Sequence, residues 1–402
     1  MYSLRMKKKV CFWVYIFWLF FAGMSAPVFP QEETFGVPIP VVGTSPNSGA
    51  VMGVLLAVVT ETDGHIDSII APVVTQNDLT GLSVDMNYFG FPSENITYQL
   101  YFSHSSENFW EYTLDYKQKQ FFWENLSLDA LVRFSRDSSD RFYGLGAQSD
   151  VDDETSYTSR NLESEFQLTW ELREHFFLSL GMEGRRKWIR RGVIEDVPSI
   201  KEKFASVTGV EGGYVLPLRL AMIYDTRNNQ VSPTAGTYFR FFLEGASQSI
   251  LSSFSYQKIG VEGKAYLPLD EDSRFVLVLR GLVEYMEGSN VPFYELSSIG
   301  GESFRGFGEG RFYDKHRFQI NIEQRIRLAR FFVGEILLDL EGAVFAEFGQ
   351  VFPSFNDIKT KDIQKVFGVA IRFVVRSQIV AKVDIGYGDE GSAIFAGLHY
   401  PF

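Results

Sequence analysis

From Phe318 to Leu328 the chain alternates with a period of two. Phe318, Ile320, Ile322, Gln324, Ile326 and Leu328 share one parity, and Gln319, Asn321, Glu323, Arg325 and Arg327 share the other. Successive side chains of a β-strand point to opposite faces, so this stretch is a strand with one apolar and one charged face. The same division recurs near the end, where Ala381, Val383, Ile385 and Tyr387 alternate with Lys382, Asp384, Gly386 and Gly388. Phe367, Val369, Ile371, Phe373 and Val375 stand against Arg372 and Arg376, and Phe275, Leu277, Leu279, Val283 and Tyr285 oppose Arg280 and Glu284. From about Ser48 to Phe402 the pattern is strand-like throughout, with no long amphipathic helix.

Such alternation suits a soluble sandwich, whose apolar faces form the core, or a transmembrane barrel, whose apolar face meets lipid and whose polar face lines a wet lumen. Two features favour the barrel. The strands run to ten or more residues, enough for a tilted bilayer crossing. The N-terminus also reads as an export signal, with Arg5 and Lys7-Lys8-Lys9 ahead of the apolar run Val10–Gly23 and the small residues Ser25 and Ala26. Cleavage near Ala26 removes the single cysteine, Cys11, and leaves a mature chain without thiols.

Cleavage also takes away four basic residues and no acidic one, leaving 34 Lys and Arg against 50 Asp and Glu. A net charge of −16 argues against a nucleic-acid partner. Downstream of the signal no apolar run is long enough for a helical span, and aromatic residues reach 16% of the chain, which excludes low-complexity disorder. Twelve candidate strands precede about residue 288 and five follow it. Single-chain bacterial barrels hold even numbers, so about sixteen strands are expected, with one surplus candidate between 80 and 136. Residues 27–47, with Pro27, Pro30, Pro38, Pro40 and Pro46, are expected to form an extended tail.

One long connection interrupts the alternation. It contains Gly300-Gly301-Glu302-Ser303-Phe304-Arg305-Gly306-Phe307-Gly308-Glu309-Gly310. Glycine at this density marks backbone that needs positive φ or close approach to other groups. A phosphate-cradling loop is the rival, but no helix pattern follows it. The pattern Gly-Gly-x-x-x-Arg-Gly-Phe, carried by Gly300, Gly301, Arg305, Gly306 and Phe307 and followed by an Arg-x-Tyr stretch and a strand, resembles the sixth extracellular loop of the BamA/TamA-like outer-membrane superfamily. Phe142-Tyr143-Gly144-Leu145-Gly146, Tyr224-Asp225-Thr226-Arg227 with Pro233 and Gly236, and five strands after the loop follow the family's order. Ile394, Ala396, Leu398, Tyr400 and Phe402 share one parity, and the terminal aromatic resembles the family's C-terminal insertion signal.

The resemblance implies an all-β outer-membrane barrel at 48–402, with the loop folded into its lumen and Arg305 paired to acidic residues of later strands. Glu347, where the family commonly has aspartate, and Asp384 match those acidic positions. Asp339 and Glu341 share the parity of Glu347. A member whose residues 27–47 are too few for a periplasmic POTRA module is implied. So is a role in outer-membrane assembly or in protein or lipid transport, with outer-membrane lipid, the barrel-assembly machinery and a separate periplasmic protein as partners. A plugged pore or a structural surface antigen is the alternative.

No cofactor or metal is expected. His65, His104, His175, His316 and His399 are scattered, with no nucleophile elbow and no His-Glu-x-x-His pattern. The acidic cluster Asp150, Asp152, Asp153 and Glu154 lacks the spacing of a calcium loop. An enzyme is not expected.

Overall fold

The computed structural model describes residues 33–402 apart from 46, 48, 63–64, 334–335, 376–378 and 398. The expected signal peptide at 1–26 and Leu398 lie outside the described residues. The first strands are β1 (Glu33–Ser45), β2 (Gly49–Thr62), β3 (His65–Asn77), β4 (Gly81–Ser93), β5 (Ile96–Ser105) and β6 (Phe109–Gln118). Then come β7 (Leu126–Asp137), β8 (Thr155–Arg173), β9 (Phe176–Arg191), β10 (Leu218–Asp225), β11 (Gly236–Ala246) and β12 (Tyr256–Pro268). The last are β13 (Phe275–Glu287), β14 (His316–Val333), β15 (Ile336–Phe352), β16 (Gln364–Val375), β17 (Ile379–Gly388) and β18 (Gly391–Gly397).

Each strand pairs antiparallel with the next. The ring closes where Thr44 of β1 stands opposite Ile394 of β18. Among the described residues twenty strands share this sheet, but Arg141–Phe142 only extends the pairing along β8 and Gly212–Val215 only continues β10 along β9, which leaves eighteen in the ring. Closure removes the open edges that lipid cannot satisfy.

The difference from about sixteen strands lies at the N-terminus. β4–β7 all pair, so no candidate between 80 and 136 is surplus. Residues 33–45, expected to be tail, form β1 and supply the strand that makes the count even. Proline is tolerated there because β1 uses only one edge fully. Residues of one parity offer their backbone N–H groups to the same neighbour, and proline has none to offer. The β1–β2 ladder runs unbroken through Pro38 and Pro40, whereas the β2–β3 ladder skips Leu56 and Ala57, across from Pro72. The missing donors of Pro38 and Pro40 therefore fall on the edge that faces β18.

Sidedness follows the alternation. On β14, Gln319, Asn321, Glu323 and Arg325 point inward and are buried, while Ile320 and Ile322 are exposed on the outer wall. On β16, Arg372 is buried inside and Phe367, Val369, Ile371 and Phe373 are exposed outside. Charge inside and an apolar belt outside is the inverse of a soluble protein, and fits a barrel wall facing hydrocarbon.

Candidate functional site

The long loop between β13 and β14 enters the lumen on a short stem, in which Ser297, Ser298 and Ile299 pair with Asp314, Tyr313 and Phe312. Beyond the stem, Gly300 and Gly301 adopt φ of +129° and +71°, the left-handed region that side-chain-bearing residues disfavour. They turn the chain so that Phe304, Phe307 and Phe312 pack with Ile299, Phe345, Val351 and Val366 against the inner walls of β15 and β16. The loop backbone then lies directly on β17. A Cβ at Gly386 would fall 2.0 Å from the Arg305 carbonyl oxygen, so glycine is required for the two main chains to touch.

That seating places Arg305, fully buried, among charges from four consecutive strands. Glu347 of β15 accepts the Arg305 backbone N–H at 2.7 Å and its Nε at 2.8 Å. Glu323 of β14 accepts from Nη1 at 2.8 Å, and Asp384 of β17 accepts from the same nitrogen at 3.1 Å. The guanidinium plane also lies 3.4 Å from the centre of the Phe345 ring. Both expected partners, Glu347 and Asp384, are in contact with Arg305, and the longer glutamate side chain reaches it at ordinary hydrogen-bond length.

Glu323, which the sequence shows only as one charge on an inward face, is the hub. Besides Arg305 it accepts from Arg325 Nε at 2.9 Å and from both Arg372 terminal nitrogens, at 2.8 and 2.9 Å. Arg372 reaches on to Glu341 at 3.0 Å and to Asp384 at 3.0 Å, and Lys382 lies 3.4 Å from Asp384. Register builds this cluster. Asn321 stands opposite Glu347, Glu341 opposite Arg372, and Arg372 opposite Lys382, so the inward charges of β14–β17 meet across the sheet. Four cations facing the carboxylates of Glu323, Glu341, Glu347 and Asp384 leave few charges unpaired, the condition for burying them at tolerable cost.

Asp339 lies outside this cluster and pairs instead with Arg330 at 2.6 Å, near the barrel end. At the edge of the cluster, Glu302 of the loop receives His399 Nε2 at 2.8 Å and Lys382 at 3.2 Å. Burial alone would raise the Glu302 carboxyl, but the His399 hydrogen bond and the Lys382 charge outweigh it and hold it at about 2.

The C-terminal residues take a different course from the expected one. β18 stops at Gly397, with Ile394 on the outer face, and Tyr400 and Phe402 turn into the lumen instead of continuing that face. Tyr400 donates to Glu341 at 3.0 Å, and the Arg325 guanidinium lies 3.7 Å from its ring centre. Phe402 packs with Tyr266, Val276 and Val278. The lumen offers cations to both rings, Arg325 and Arg372 to Tyr400 and Arg280 and Arg305 to Phe402.

The Phe142 and Arg-x-Tyr motifs cap the end at which the loop enters. Phe142 packs with Tyr157, Ile189, Ile200, Val210 and Phe293, joining three connections into one apolar cluster over the loop stem. Arg311, the arginine of the Arg-x-Tyr stretch, binds Glu390 of the β17–β18 turn at 2.6 Å and stacks on Tyr143 at 4.3 Å. Asp225 and Arg227 pair with each other at 2.7 Å. In the acidic cluster, Asp153 pairs with Lys203 and Glu154 with Arg141, each at 2.8 Å.

Residues 87–388 match the model of the Omp85 superfamily domain. Among solved structures, BamA from Haemophilus ducreyi lacking POTRA domains 1–3 shares 16% identity with a TM-score of 0.55, covering 90% of this chain and 74% of that one. CdiB from Acinetobacter baumannii shares 10% identity with a TM-score of 0.48, covering 92% of this chain and 60% of that one. The match over most of the strands, with a lumen loop seated on charges from β14–β17, leads to one assignment: the chain belongs to the Omp85 superfamily and is an integral β-barrel of the outer membrane.

Proposed function

We propose that this barrel serves outer-membrane assembly or the transport of protein or lipid, passing an amphipathic client between lumen and membrane through the seam of β1 and β18. One observation carries the reading. β1 pairs with β2 along all thirteen of its residues, but across the seam the described residues show a single registered pair, Thr44 opposite Ile394. Pro38 and Pro40 remove two donors from that edge, so zipping the seam further gains less than between ordinary strands. A weakly paired seam in an otherwise continuous ring is where the wall opens at least cost. Outer-membrane lipid is then a direct partner, the barrel-assembly machinery acts during biogenesis, and a separate periplasmic protein delivers the client.

The test is depletion of the protein, followed by quantification of outer-membrane proteins and of lipid in each leaflet, with complementation by a Thr44→Cys/Ile394→Cys variant. Broad loss of other barrels, or altered lipid distribution, that the oxidised variant fails to rescue and the reduced one rescues supports passage through the seam. No change in either quantity sinks it. The plugged-pore or structural-antigen reading would then stand, with small, erratic conductance as its signature because the loop fills the lumen.

A further inference from the structure

The inner wall is not polar all the way round. On β2 and β3 the inward parity carries Leu55, Ala57, Val59, Ile69, Ala71 and Val73, and Leu55, Ala71 and Val73 form one buried apolar cluster with Val41 of β1 against it. The outward parity of the same strands is apolar too, with Val54, Leu56 and Val74 exposed. These strands are thus apolar on both faces, unlike β14–β17. A charged lumen wall explains nothing here, since water on the inner face would leave this surface wet.

A cavity of about 1350 Å³ lies against this wall. Its far side is polar, with Asp85, Asn87, Gln99, Asp129 and Gln167. It also reaches Phe373, Val383 and Ala396, which sit on the outer, lipid-facing parity of β16, β17 and β18. One space therefore touches both the apolar inner wall and the membrane face, and it does so across the seam, below the Thr44–Ile394 pair. The contents of such a space come from the bilayer, where the abundant apolar material is the acyl chain.

We propose that this cavity is a lipid site, in which an acyl chain of a membrane phospholipid enters through the seam and lies along the inner face of β2 and β3. The chain covers Leu55, Ala71 and Val73, and the opposite polar wall faces its more hydrated end. The proposal rests on reading the seam as a passage, and it names the class of molecule that uses it.

The experiment uses the full mature chain in nanodiscs of phosphatidylethanolamine and phosphatidylglycerol doped with a phospholipid that carries a diazirine in its acyl chain. After illumination, adducts are mapped by residue. Adducts on inward Leu55, Ala71 and Val73 as well as outward Val54, Leu56 and Val74 are expected, with the inward set lost and the outward set kept in Ala71→Trp, which fills the cavity. Adducts confined to the outward set in the wild type overturn the proposal. So does a Val73→Cys thiol that crosslinks to the chain's own residues before Glu33 in place of lipid. Labelling reports occupancy and not transport: inward adducts without a depletion phenotype keep the site and sink the passage function, and a phenotype without inward adducts does the reverse.

Discussion

Glu347 holds Arg305 twice, taking its backbone N–H at 2.7 Å and its side-chain Nε at 2.8 Å, so a single carboxylate fixes both the main chain of the loop and its guanidinium. The loop tip and the barrel wall are consequently one electrostatic unit, in which Glu323 and Asp384 depend on the same cation.

Arg305→Ala leaves buried Glu347 with the Asn321 amide as its donor and takes one of several cations from Glu323 and Asp384, and breaking a buried pair in this way costs about 3–5 kcal/mol. Arg305→Lys keeps the charge but loses the planar fork, and is expected to fall between the two. Denaturant unfolding in micelles, read by the heat-modifiable shift on gels, checks the order. Equal stability of the alanine variant and the wild type would count against the cluster as a stabilising unit.

Gly386→Ala should unseat the loop without touching a charge. The new methyl would lie 2.0 Å from the Arg305 carbonyl oxygen, and overpacking of this kind costs about 1–3 kcal/mol. Limited proteolysis should then cut within 300–310, where the wild type resists. Unchanged resistance would mean that the two main chains separate easily.

Tyr400→Phe removes the hydrogen bond to Glu341 and leaves the ring on Arg325. A bond to a charged acceptor is worth about 1.5–3 kcal/mol, and Tyr400→Ala should cost more because the cation–ring contact goes as well. The unfolding midpoint of the inserted barrel measures both. An effect on insertion yield alone, with an unaltered midpoint, would show that the residue acts only during biogenesis.

Asp140, in the connection after β7, gives the capping end a pH dependence. Burial, and then the charge of Asp137, push its carboxyl from an ordinary 3.8 up to about 7 against the pull of Lys187. An acid whose folded pKa is raised favours the folded state most below its unfolded value, and that contribution is lost as pH rises through the folded value. Amide exchange in 138–158 should therefore quicken from about pH 4 to pH 7 beyond its chemical rate, and Asp140→Asn should abolish the extra slope. An identical slope in the variant would assign it to another group.

Much of the candidate site was legible before any coordinates. Arg305 was marked by the glycines around it and by the resemblance of its loop to the family's, and Glu347 and Asp384 by their match to the acidic positions which that resemblance implies. Glu323, Arg372, Lys382 and Glu341 were visible as inward charges but not as one cluster, because parity gives the face of a strand and not its height. Their meeting depends on Asn321 standing opposite Glu347 and Arg372 opposite Lys382, and a shift of two residues would preserve every face while breaking these pairs. The tail at 27–47 was misjudged for a related reason. Proline argues against a central strand, and β1 is a strand with one edge nearly free.

The sequence by itself determined the period of two, the sidedness of the strands and the need for glycine at 300 and 301, because these are properties of a residue and its immediate neighbours. Only the tertiary structure decided the register, the closure at Thr44 and Ile394, the inward turn of Tyr400 and Phe402, and the hub at Glu323. Each of these depends on groups tens to hundreds of residues apart in the chain. Their contact energies exist only once the ring has closed and set one strand's height against the next.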